Sequence, residues 1–268
     1  YLMPTNHPKK IFTLGDSFFD TNGGWGIPLC EKLGVEHINC AYGGAGNKRI
    51  ANAFFKSNNL IDDNTVVVVS WTDLDRVDKY ISETPHLLAE FKEYDSGLDT
   101  HVINEGWILS GYGLGSYQQK YDNGIARFKG MKLLLKSQTY ENEEFSEHER
   151  WKAYWKEYYK RYHTYEDSYC ESLLHFVNVT QWLEARNIPY IMTSYANIWA
   201  AKHSKEFGYL RNNLDFSKWF YYKRLGCWEW VRKNRLPVTK GHPTVESYAK
   251  WADVFIENSN IEYLLENL

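Results

Sequence analysis

The chain has 268 residues, of which 43% are hydrophobic and 24% charged. That is enough apolar surface for a packed core and too much for a disordered chain. The net charge of −3 leaves no basic domain to grip nucleic acid, and no apolar run approaches the ~20 residues of a membrane helix.

In chain order, IFTL (11–14) reads as a short buried strand stopped by Gly15. WGIPLCEKLG (25–34) has helical spacing and ends on Gly34. VEHINCA (35–41) predicts a second strand. GGAGNKRIANAFFKSN (43–58) predicts a Gly-rich turn and a helix with Ile50, Ala51, Phe54 and Phe55 on one face. NTVVVVSWT (64–72) holds consecutive valines, the pattern of a strand buried on both sides in a parallel sheet. The alternation of strand and helix argues for an α/β parallel sheet with right-handed crossovers.

The section from 76 to 180 does not fit a minimal sheet unit. Residues 97–130, rich in Gly and Tyr, read as an irregular excursion. Residues 141–187 lack Pro and Gly and predict one long helix or two in succession, with Trp151, Tyr154, Trp155, Tyr158, Tyr159 and Tyr162 recurring at three and four. We expect a single domain over 1–268 with an aromatic-rich helical insertion at about 82–180. At 182–195 a helix end leads back into a strand. A final helix over 244–258 places Val245, Tyr248, Ala249, Ala252, Phe255 and Ile256 on one face.

The N-terminal stretch YLMPTNHPKK lacks the apolar centre of a signal peptide. Cys30, Cys40, Cys170 and Cys227 form no CxxC pair and no zinc-spaced cluster with histidine. We therefore expect buried free thiols, no metal and no cofactor. The 17% aromatic share is read first as core and second as sugar-binding surface.

Ser17 follows the first strand, where open parallel sheets build their sites. Alone, Gly15-Asp16-Ser17 is also a turn sequence, and Asp16 is read as bonding that turn together. A nucleophilic serine needs a base. His242, in the loop TKGHPT ahead of the final helix, is the best placed histidine; Pro243 sets the helix entry and Thr244 can cap it. An oxyanion hole needs donors aimed at developing charge. The loop YGGAGN (42–47) offers backbone amides at Gly44, and SWTD (70–73) offers Thr72. Three successive strand ends thus carry Ser17, Gly44 and Thr72.

In these blocks the sequence resembles the SGNH/GDSL hydrolase superfamily, and its bacteriophage and environmental bacterial members in particular. IFTLGDSFFD matches the first block, INCAYGGAGNKRI the second and GHP the fourth. The third block normally reads Gly-x-Asn-Asp, and here VVVVSWTD puts Thr72 at the Asn position. The fourth normally reads Asp-x-x-His-Pro, and here Thr239 stands in place of the Asp. The resemblance spans about 9–80 and 182–258.

It implies a three-layer α/β/α sandwich on a parallel flavodoxin-like sheet. It also implies a serine esterase working through an acyl-Ser17 intermediate, with His242 as base and the Ser17 and Gly44 amides and Thr72 as oxyanion donors. Asp215 and Glu246 are alternative carboxylates for orienting His242. The implied partner is a small-molecule or glycan ester, possibilities that include a carbohydrate O-acetyl group, without nucleic acid or membrane. A soluble cytoplasmic or virion-associated location is expected. The alternative expectation is a binding or structural protein, such as a virion component, that keeps the fold with catalysis impaired.

Overall fold

The computed structural model describes residues 8–19, 24–74, 76, 78–80, 107–109, 164–200, 205–239 and 241–268. Strand β1 (Lys10–Gly15), helix α1 (Gly26–Leu33), strand β2 (Glu36–Asn39), helix α2 (Asn47–Ser57) and strand β3 (Thr65–Trp71) follow one another. A short antiparallel pair, β4 (Asp78–Tyr80) and β5 (Trp107–Leu109), comes next. Helix α3 (Tyr165–Glu184) leads to strand β6 (Tyr190–Ser194). Short helices α4 (Gly208–Arg211) and α5 (Cys227–Lys233), the hairpin β7 (Val238–Thr239) and β8 (His242–Pro243), and helices α6 (Val245–Asn258) and α7 (Ile261–Glu266) complete the chain.

The main sheet has the order β2-β1-β3-β6, and all three pairings are parallel. Its strands are sorted by the period of two. Phe12, Leu14, Val67, Val69 and Met192 point to one face, where α2 and α3 bury Ile50, Phe54, Leu173 and Phe176. Ile11, Val66, Val68 and Ile191 point to the other, against Leu29 of α1, Val231 of α5, Trp251 and Phe255 of α6, and Ile261 and Leu265 of α7. With both faces covered, every residue of β3 is buried, which is why its valines run unbroken rather than alternating with polar residues. Burying each is worth about 1.5–3 kcal/mol. The expected α/β/α sandwich is thus the observed one.

Several boundaries differ from expectation. Phe55 is 42% exposed, and α2 buries Ala53 instead, because the helix starts at Asn47 and its inner face runs through Ile50, Ala51, Ala53 and Phe54. In α6 the inner face is Tyr248, Trp251, Ala252 and Phe255, while Val245 in the first turn is 69% exposed. The last part of the expected insertion, from Tyr165 onward, is instead a layer helix: α3 packs on α2 and buries Tyr169, Leu173 and Phe176. β5 lies inside the stretch read as irregular. The aromatic stripe from Trp151 to Tyr162 falls outside the described residues. The four cysteines are free thiols, with Cys30 and Cys227 buried and Cys40 and Cys170 half-buried. Among the described residues no helix is long and apolar enough to cross a membrane.

The strand order places β1 between β2 and β3. The chain crosses from β1 outward to β2, then back past β1 to β3, so the carboxyl end of β1 lies at the switch point where such sheets open a crevice. Ser17 is two residues beyond that end.

Candidate active site

β1 stops where its last residue presses on its neighbour. A Cβ on Gly15 would come within 2.9 Å of the Ser70 carbonyl oxygen, so only glycine fits beside β3 there. The chain then turns sharply. Asp16 Oδ1 accepts the Phe18 N–H at 3.0 Å, and the Asp16 carbonyl accepts the Phe19 N–H at 3.0 Å. This is the turn role read for Asp16 from sequence. It leaves Ser17 half-buried at the tip, between buried Asp16 and Phe18.

His242 reaches this serine from the far end of the chain. Its Nε2 lies 2.7 Å from Ser17 Oγ, across 225 residues of sequence. The β7–β8 hairpin holds it, with Thr239 and His242 in register and Gly241 in the left-handed turn at φ 82°. Thr244 caps α6 through the Ser247 N–H, as its position suggested. The His242 ring also meets Phe18, with centroids 5.4 Å apart, and Phe18 stacks on Tyr195 at 4.8 Å and 17°. Packing as well as hydrogen bonding therefore fixes the imidazole.

Neither of the carboxylates considered as orienters is placed on His242. Asp215 accepts the Ser217 N–H at 2.9 Å. Glu246 is exposed in the first turn of α6, and neither of the two bonds to His242. Thr239 is exposed opposite His242 and brings no carboxylate.

The Gly-rich loop is tied to the same edge. The Tyr42 N–H donates to the Gly15 carbonyl at 3.0 Å, and Gly44 adopts φ 76°, a left-handed conformation that favours glycine. Among the described residues the N–H groups of Ser17 and Gly44 donate to no acceptor. Both amides are thus available to an incoming oxyanion.

Thr72 is placed differently from the expectation. Its hydroxyl is fully buried and donates to Asp16 Oδ2 at 3.0 Å. A hydroxyl has one proton to give, so in this state Thr72 offers none to an oxyanion.

Sequence reasoning missed the residues that hold these pieces together. Buried Asn47 accepts the Thr72 N–H at 3.0 Å through Oδ1. Its Nδ2 donates to the carbonyls of Thr72 at 3.4 Å and Asp73 at 3.3 Å and to Ser172 Oγ at 3.0 Å. It therefore pins the end of β3 to the start of α2 and to α3. Arg76 Nη1 donates to the Ala45 carbonyl at 3.0 Å and to Asp16 Oδ2 at 3.3 Å, joining the Gly44 loop to the serine turn.

Asp73 accepts a hydrogen bond from the Tyr195 hydroxyl. Burial pushes the carboxyls of Asp16 and Asp73 above the usual carboxylate range, opposed chiefly by the Arg76 guanidinium they share. Burial and the Asp73 charge push the Tyr195 hydroxyl well above its ordinary value, so it stays a donor. The available signal in the sequence was an Asp within two residues of the end of each of two apolar strands, with an Arg three residues beyond the second Asp.

The arrangement supplies a serine, a histidine in hydrogen-bond contact and two open backbone amides at one sheet edge. Among the described residues no group of three or more His, Cys, Asp or Glu is placed to hold a metal. No protein-family model matches the chain, and no curated protein matches it.

Proposed function

We propose that the chain is a serine ester hydrolase of SGNH/GDSL type, acting on a small-molecule or glycan ester. The observation that carries this reading is the 2.7 Å contact between Ser17 Oγ and His242 Nε2 at the switch point of a parallel sheet.

In this reading His242 is neutral, with its proton on Nδ1, and Nε2 accepts from the Ser17 hydroxyl. As Oγ attacks the ester carbonyl, Nε2 takes the proton. The negative charge on the carbonyl oxygen falls to the Ser17 and Gly44 N–H groups. The tetrahedral intermediate collapses, Nε2 hands its proton to the departing alkoxide, and acyl-Ser17 remains. Water then loses a proton to Nε2, attacks the acyl carbon and releases the carboxylic acid, and Ser17 recovers its proton. With Thr72 bonded to Asp16, two donors stand where the family has three. One missing donor costs about 2.7–4 kcal/mol of transition-state stabilisation, so a slow hydrolase is the expected form. O-acetyl groups on carbohydrate are the favoured ester within this class.

The Thr72–Asp16 bond also favours a second reading, a fold kept for binding with turnover lost. Hydrolysis of p-nitrophenyl acetate separates the two. Activity abolished by Ser17→Ala and by His242→Ala supports the hydrolase, and equal rates in all three proteins support the second reading.

A further inference from the structure

Beside the candidate site runs a stretch of opposite character to the rest of the chain. Lys223, Arg224, Arg232, Lys233 and Arg235 are all exposed, while Glu229 is the one acid between residues 221 and 239. Glu229 Oε2 is occupied by the N–H groups of Gly226 at 2.9 Å and Asn197 at 2.8 Å. Among the described residues none of the five cations joins an ion pair or donates a side-chain hydrogen bond. In a chain of net charge −3, this concentration of unneutralised positive charge on one segment stands apart.

Three of these cations sit where the backbone disfavours them. Lys223 and Arg224 have φ 52° and 67° and form the tip of a two-residue turn closed by the Tyr222–Leu225 bridge, a turn that prefers Asn-Gly. Arg235 has φ 54° just past α5, a place that glycine usually takes. Long basic side chains at left-handed positions give up local stability to display charge.

The segment is also joined to the site. The Trp228 N–H donates to the Tyr195 carbonyl at 2.8 Å. The Trp228 ring lies 6.1 Å from Phe18, the ring that packs on His242. The Arg232 guanidinium carbon lies 5.3 Å from the Trp228 centroid, which pins the charge beside that wall while leaving its N–H groups free for a planar anion.

We infer that the ester entering at Ser17 is carried on an anionic glycan, whose carboxylate, sulfate or phosphate groups bind the basic segment that carries Lys223, Arg224, Arg232, Lys233 and Arg235, with Arg232 nearest the site through Trp228. This deepens the hydrolase reading and rests on it. A glycan fits better than a nucleic acid because the chemistry at Ser17 needs acylated hydroxyls, which sugars carry in number. Trp228 and Tyr222 interleave with the cations, and Arg232 and Lys223 lie over their rings at 5.3 and 5.0 Å.

The test is calorimetric titration of the full chain with an unacylated uronate oligosaccharide, a sulfated glycan, a neutral oligosaccharide of equal length and a single-stranded oligonucleotide. The expected result is binding of one or both anionic glycans, weakening steeply between about 0.05 and 0.5 M salt, with none detected for the neutral one. The combined variant Lys223→Asn, Arg224→Gly and Arg232→Gln should bind roughly tenfold or more weakly while melting no lower than the parent, since Asn and Gly suit the turn. Lys56→Gln, an exposed charge on α2, should bind as the parent does. Equal binding of the neutral glycan, undiminished binding by the triple variant, an equal loss in Lys56→Gln, or tighter binding of the oligonucleotide would overturn the inference. Fluorophosphonate labelling of the parent separates the two readings. Labelling without anion binding defeats this inference alone, and anion binding without labelling defeats the hydrolase reading, leaving the basic segment as a glycan-binding site without ester chemistry.

Discussion

The Thr72 hydroxyl donates to Asp16 Oδ2 at 3.0 Å, and Asp16 Oδ1 holds the Phe18 N–H at 3.0 Å. One carboxylate thus connects the end of β3 to the turn that presents Ser17. Thr72 stands where an oxyanion donor is expected, yet it serves the nucleophile turn from beneath. Thr72→Val keeps the shape and removes the bond. It should destabilise the fold by about 1–3 kcal/mol, read from urea unfolding. The rate of Ser17 labelling by a fluorophosphonate should change less than about tenfold, whereas a true oxyanion donor would cost ~100-fold or more.

The other consequence of this buried network is a pH dependence. Burial raises the carboxyls of Asp16 and Asp73 above the ordinary aspartate value of 3.8. Between that value and the raised one, the folded chain holds protons that the unfolded chain has released. The contribution of these groups to stability is therefore fully present below 3.8 and is lost as pH rises through the folded values. Urea midpoints measured across this window should fall with rising pH less steeply in Asp73→Asn than in the parent. An unchanged slope would show that Asp73 keeps its ordinary affinity for protons.

Gly44 carries the second open amide, and its φ of 76° is costly for any residue with a Cβ. Gly44→Ala should lose about 1–2 kcal/mol of stability and, because relaxation of φ turns the N–H away, should slow Ser17 labelling as well. A stability loss with labelling intact would remove Gly44 from the oxyanion hole.

Asn47 contributes both faces of its amide to buried backbone. Asn47→Leu keeps the bulk, orphans the Thr72 N–H and removes the donor that the Thr72 and Asp73 carbonyls and Ser172 Oγ share; the unsatisfied N–H alone costs about 1–3 kcal/mol. Denaturant unfolding should show a loss larger than that of Thr72→Val. A smaller loss would mean that the loop finds other partners.

What could be read in the sequence follows from the range of each interaction. The β1 strand, the valine run of β3, the Gly34 stop and the Thr244 cap depend on neighbours a few residues away, and all are found. The Ser17–His242 pairing spans 225 residues but was legible from the strand end that carries Ser17 and from the GHP loop ahead of the final helix that carries His242. The fate of Thr72 was not legible, because it depends on a carboxylate 56 residues away whose depth only the packed structure reveals. Asn47, Arg76 and Tyr195 escaped for the same reason: their partners are distant in sequence, in loops beyond other strands and on α3. The start of α3 at Tyr165 was hidden inside a longer stretch without Pro or Gly, where no local signal separates a layer helix from what precedes it.

The central claim is that Ser17 is a nucleophile activated by His242. The most direct measurement is covalent labelling by a fluorophosphonate, located by mass spectrometry of the digested protein and followed against pH. The account predicts a single adduct on Ser17, absent in Ser17→Ala and at least ~100-fold slower to form in His242→Ala. Labelling of another residue, or a rate indifferent to removal of His242, would contradict it.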